Sequence, residues 1–107
     1  MTFHETETIT GRNWTCALGG LHRPIPLRGC IHHVWPRGAG GPDVPENKVD
    51  CCETHHANVH SIMWEIAHGR PTPKCGRSEL ALARRGVAAW VAAGNTIGTD
   101  VPTAFLG

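Results

Sequence analysis

The feature that most constrains this chain is the segment Cys30–His60, CIHHVWPRGAGGPDVPENKVDCCETHHANVH. It begins with an adjacent His–His pair and passes through a loop crowded with glycine and proline. It ends on His56 and His60, four residues apart. Pro36, Gly38, Gly40, Gly41, Pro42 and Pro45 exclude regular structure between Pro36 and Pro45. The chain must therefore make one element before that loop and another after it. Gly29–Val34 is expected as a strand, Lys48–Cys51 as a short return strand paired antiparallel to it, and residues 53–67 as a helix.

That helix has readable ends and a readable face. Thr54 is the expected N-cap, and His68-Gly69 followed by Pro71 is a stop signal. At 100° per residue, Val59, Ile62, Met63 and Ile66 share one face, with Asn58, Ser61 and Glu65 opposite. His56 and His60 lie about 40° apart on the apolar half, so two imidazoles one turn apart can grip one divalent ion. On the strand, adjacent His32 and His33 project to opposite sides. One can ligate while its neighbour, with an ordinary pKa near neutrality, takes a proton from water. Asn47, at the end of the loop, can donate and accept at once. It is expected to tie the loop to the first strand and to hold the His33 backbone or ring.

The rest of the chain is small. With 107 residues, only 2 Phe and no Tyr beside 4 Trp, one domain with a modest core is expected. Such domains often add a structural metal, and 8 His with 5 Cys point to one. The start, Met1-Thr2-Phe3-His4-Glu5, has no basic-then-apolar pattern, so no secretory signal is expected. The longest apolar run, Val87–Ala93, is too short to span a membrane. A reducing cytoplasm follows as the expected location, where grouped cysteines read as metal ligands. A net charge of +1 means that any contact with DNA must be local. Residues 1–13 are expected to form a loose arm, 14–70 the core, and 71–107 a linker and second helix. That helix is expected from Ser78, its cap, to Ala93, with Leu80, Ala83, Val87, Trp90 and Val91 as its stripe. Trp14–Gly20 reads as a metal knuckle or a turn, and His22–Gly29 as extended.

The order His33, then Asn47 fourteen positions on, His56 nine further, and His60 four beyond that resembles the HNH endonuclease family. The loop GGPDVPEN is similar to that family's loop, which typically carries Gly-Gly, an acidic residue and then Asn. The resemblance covers residues 14–67 and implies an α+β fold, a small ββα-metal (His-Me finger) domain with a C-terminal helix. It implies hydrolysis of DNA phosphodiester bonds, with DNA as partner and 5′-phosphate and 3′-hydroxyl products. Carried over, His32, His56 and His60 hold one divalent metal (Mn, Ni, Co, Zn or Mg). His33 is the general base and Asn47 orients it. Three imidazoles favour the first four metals over Mg²⁺.

Many members carry a structural zinc on two Cys-x-x-Cys knuckles, and this chain departs from that pattern at Gly19 and His55. The implied ligand set is Cys16, Cys30, Cys52 and His55. Alternation places Cys30 on the side of His32, so Cys51, Cys75 and His22 stay open as the fourth ligand. Arg37 is the expected phosphate contact, with Arg28, Lys48, Arg77, Arg84 and Arg85 as further basic residues. Compact members of the family are common in bacteriophage, where some act with the terminase. The alternative is a zinc-binding DNA- or protein-interaction module on an inactive HNH scaffold. The intact set of four residues argues against that, since such a module has no use for a general base.

Overall fold

The computed structural model describes residues 7–19 and 28–106. Its order is β1 (Glu7–Thr8), β2 (Gly29–His33), β3 (Lys48–Cys52), α1 (Glu53–Ala67) and α2 (Arg77–Ala92). Single 3-10 turns lie at Arg37–Ala39, Pro45–Asn47 and Thr103–Leu106. The fold is a small α+β unit: a three-stranded antiparallel sheet of order β1-β2-β3 with two helices. Among the described residues no helix is long and apolar enough to cross a membrane.

The central ladder sets every later geometry. Gly29 pairs with Cys52, Cys30 with Cys51, Ile31 with Asp50, His32 with Val49 and His33 with Lys48. β1 is an addition to the expected pair of strands: Glu7 pairs with Ile31 and Thr8 with Cys30. Its two residues are exposed and carry no apolar alternation, which is why they read as part of a loose arm. Residues beyond β1 are also fastened. Arg12 makes a two-pronged contact with Asp50, Nη1 to Oδ2 at 2.7 Å and Nη2 to Oδ1 at 3.0 Å. The Ala17 N–H donates to the Asp50 carbonyl at 2.7 Å, and Gly19 closes a turn onto Cys16. The knuckle is thereby pinned to β3. Of the stretch expected to be extended, residues 22–27 lie outside the described residues.

The loop between β2 and β3 is built around Trp35 and Asn47. The Asn47 Oδ1 accepts from the Trp35 N–H, and its Nδ2 donates to the carbonyls of Trp35 and Pro42, each at 2.9 Å. The Trp35 indole N–H closes the near side of the loop on the Ala39 carbonyl at 2.9 Å. Gly41 is needed here because a Cβ would overlap the Trp35 carbonyl oxygen.

The helix limits differ from expectation at their caps. α1 is capped by Cys52, whose Sγ accepts from the His55 N–H at 3.4 Å, and Thr54 lies inside the helix. α2 begins at Arg77 after an uncapped Gly76, so Ser78 is also internal. One core cluster joins the layers: Val34 from the end of β2; Val59, Ile62, Met63 and Ala67 from α1; Leu82, Ala83, Val87 and Trp90 from α2; and Phe105. The buried stripe of α2 thus runs through Leu82 and Gly86, while Val91 is exposed. Gly86 lets α2 approach closely, since a Cβ there would overlap the Val34 carbonyl and crowd the Met63 sulfur. The helix-propensity cost of about 1 kcal/mol for this glycine is offset by that close packing.

Candidate metal centre

His32 leaves the middle of β2 toward α1, and His56 and His60 rise from successive turns of α1 to meet it. The three rings stand edge to face, with centroids 5.3 Å (His32–His56), 5.1 Å (His32–His60) and 4.6 Å (His56–His60) apart. One ring nitrogen from each lies within 4.8 Å of the others, a grouping that could hold a metal ion. All three side chains are buried, His32 completely.

Burial explains their charge state. It pushes His32 well below the ordinary imidazole value, and the neighbouring His60, His56 and His33 push the same way. His56 is pushed down to about 4 by burial, then by His60 and His33. Burial also lowers His60, and the Phe105 carbonyl works against that shift. Near neutral pH the cluster therefore presents uncharged rings with available lone pairs.

Two details test whether a cation suits this cluster. Both ring nitrogens of His32 are buried without a hydrogen-bond partner among the described residues. Such orphaned groups ordinarily cost about 1–3 kcal/mol each, and ligation of a metal removes that cost at the one nitrogen that binds it. His60 Nδ1 lies 2.9 Å from the Phe105 carbonyl. A carbonyl only accepts, so Nδ1 carries the proton and Nε2 carries the lone pair. The donor set of three neutral imidazoles fits a divalent first-row metal. The C-terminal 3-10 turn that supplies this carbonyl had no recognisable sequence signal, because a backbone oxygen belongs to every residue type.

His33 is buried beside the cluster, and its Nε2 lies 2.9 Å from Asp43 Oδ1. The same carboxylate oxygen is 3.1 Å from Lys48 Nζ. Hydrogen bonds from His33 and then Lys48 hold Asp43 below the usual carboxylate range. Asn47 does not bond the His33 ring: it ties the loop to the Trp35 backbone, and its own carbonyl accepts from the Val34 N–H at 2.8 Å. The residue in contact with the ring, Asp43, was visible in the sequence only as the acidic member of the loop. No spacing rule assigned it a partner.

A second grouping lies at the start of α1. Cys16, Cys52 and His55 bring their ligand atoms within 4.8 Å of one another. Cys16 Sγ is 3.2 Å from His55 Nδ1 and accepts from the Cys52 N–H at 3.4 Å. Cys30 is not part of this group. It is buried on β2 opposite Cys51, where alternation along the strand holds it. Cys51 packs with Cys16 and Cys52. Its thiol is pushed up to about 12 by burial and then by Cys16, Cys30 and Cys52. Cys75 is exposed in the segment before α2 and outside the group, and His22 lies outside the described residues. All five cysteines are free thiols.

Arg37 is exposed in the first turn of the loop after β2. Arg28, Arg77, Arg84 and Arg85 are exposed as well, whereas Lys48 is half-buried and engaged by Asp43. Against known proteins, no family model, no curated protein and no solved structure matches this chain.

Proposed function

We propose that this chain is a metal-dependent endonuclease of the HNH type, with β2, β3 and α1 forming a ββα-metal core that hydrolyses DNA phosphodiester bonds. The observation that carries the reading is the buried His32–His56–His60 cluster with His33 next to it on the same strand. A non-catalytic metal staple needs the first three residues and has no need of the fourth.

In this reading His33 takes the proton from a water, whose oxygen then attacks the phosphorus. The 3′ oxygen departs, leaving 5′-phosphate and 3′-hydroxyl ends. A divalent ion on His32, His56 and His60 would supply Lewis-acid stabilisation of the phosphorane-like charge and of the leaving oxygen. Neutral rings suit that role, because a protonated imidazole has no lone pair to give. Arg37 contacts a phosphate and sets the strand's position without reading its sequence. Cys16, Cys52 and His55 hold a structural zinc with a fourth ligand from Cys30 or Cys51. Both sites need unprotonated histidines, and the zinc site also needs reduced thiols, as expected in a reducing cytoplasm.

The test is conversion of supercoiled plasmid to nicked or linear DNA by metal-stripped protein, with and without added Mn²⁺, Ni²⁺ or Zn²⁺. Cleavage is expected only with the ion, and His33→Ala is expected to lose roughly 10²–10⁴-fold in turnover at unchanged metal content. Undiminished cleavage in EDTA, or by His33→Ala, would overturn the reading.

A further inference from the structure

The loop between β2 and β3 delivers one carboxylate to the ring of His33, and its chemistry fixes more than position. Asp43 Oδ1 is 2.9 Å from His33 Nε2. An ionised carboxylate only accepts, so the proton of the neutral ring sits on Nε2 and the lone pair on Nδ1. The ring is buried while Asp43 is more than half exposed, so the acid closes over the ring from the solvent side.

The acid is itself held in place. Lys48, the ladder partner of His33, binds the same oxygen at 3.1 Å. Asn47 Nδ2 binds the carbonyl of Pro42, the residue immediately before Asp43, and both polar ends of the Trp35 backbone are tied to Asn47. Gly41 allows the chain to turn against the Trp35 carbonyl just before this point. Asn47 therefore reaches His33 through the loop and Asp43.

We propose that Asp43 is the positioning residue of the reacting histidine, holding His33 as the Nε2–H tautomer so that Nδ1 is the proton acceptor, with Asn47 acting through it. The assignment of a reacting proton acceptor rests on the nuclease reading above; the tautomer does not. Replacing Asp43 by Asn changes the logic in one atom. An amide can turn its NH₂ toward Nε2, which then must accept, and the proton moves to Nδ1, where it blocks base action. Removal of a negative charge beside a bound phosphate does not weaken DNA binding, so a lost rate cannot be attributed to that cause.

The experiment compares the full-length zinc-loaded protein with Asp43→Asn, Asp43→Glu and Asp43→Ala. Two-bond ¹H–¹⁵N correlation of the His33 ring reads the tautomer, and plasmid cleavage with Mn²⁺ reads kcat and KM. The wild-type ring is expected as Nε2–H. Asp43→Asn is expected to shift it toward Nδ1–H and to lower kcat about 10–100-fold, the scale of groups that orient a functional histidine, with KM and zinc content unchanged. Asp43→Glu is expected to recover part of the rate, and Asp43→Ala to give a mixture of tautomers. A ring that stays Nε2–H in both Asp43→Asn and Asp43→Ala overturns the proposal, as does a kcat within twofold of wild type. If the wild-type protein cleaves nothing, the nuclease reading fails while the tautomer measurement still decides what Asp43 does.

Discussion

Replacing His32 by Leu separates a metal ligand from a histidine that merely fills the core. The wild-type ring is fully buried and both of its nitrogens are orphaned among the described residues. With the imidazole cluster empty, those orphans cost about 1–3 kcal/mol each, and Leu has similar bulk and no polar atoms. His32→Leu removes both and is therefore expected to stabilise the protein by about 2–6 kcal/mol when only one zinc equivalent, taken by the softer thiol site, is present. For a domain of this size that raises Tm by roughly 4 °C per kcal/mol. Added Co²⁺ should work against this difference. At a free concentration 100 times its Kd it contributes about 2.7 kcal/mol to the wild type and nothing to the variant. Calorimetric melts with one zinc equivalent, before and after Co²⁺ titration, measure both effects. If His32→Leu melts more than 2 kcal/mol below wild type before Co²⁺ is added, the orphaned nitrogens are not the liability argued here. If it still takes up Co²⁺ as the wild type does, His32 is not a ligand.

Acid should unfold the cobalt-free protein through the same cluster. His56 is lowered in the folded state from 6.5 to about 4, so between those values the unfolded chain binds the extra proton and stability rises with pH. Stability is accordingly expected to fall as pH drops from 6.5 toward 4, by on the order of 3 kcal/mol for this group. In urea titrations across that range His56→Leu should flatten the slope, and an unchanged slope would contradict the burial argument. Cys52→Ser is expected to lose one zinc equivalent and to fold poorly. His60→Ala should keep that zinc and remain folded, less stable by about 1–3 kcal/mol for the unpaired Phe105 carbonyl. Metal analysis with melting curves distinguishes the two, and equal loss of fold in both would refute the two-site division. Gly86→Ala should destabilise the protein despite a propensity gain of about 1 kcal/mol, because its Cβ overlaps the Val34 carbonyl. A stabilised variant in a urea melt would mean that α2 does not pack as described.

Local pattern carried the parts of this protein whose physics is local. Gly and Pro between Pro36 and Pro45 can only make a loop, so the strands followed as the elements on either side of it, and α1 followed from its period. An i, i+4 pair on an apolar face must share a side, so His56 and His60 were legible as neighbours before any fold was known. Caps were less legible: Thr54 and Ser78 are good capping residues, but Cys52 caps α1, its sulfur accepting from the His55 N–H while its own N–H donates to the Cys16 sulfur of the knuckle. The stripe of α2 shifted to Leu82 and Gly86 because the tightest contact, not the most apolar residue, decides which face docks.

The contacts that only tertiary structure decides are those made by atoms with no sequence signature. Asp43 reaches His33 across a loop whose path depends on Asn47 and Trp35, and alternation cannot say which side chain ends at the ring. The Phe105 carbonyl that sets the His60 tautomer is backbone, offered equally by every residue. Cys30 stands beside Cys51 because strand register, fixed by the whole ladder, sets its neighbour. Residue types and periods select which groups are available to a metal or a proton. The packing of α1, the loop and the C-terminal turn selects which of their nitrogens and oxygens meet.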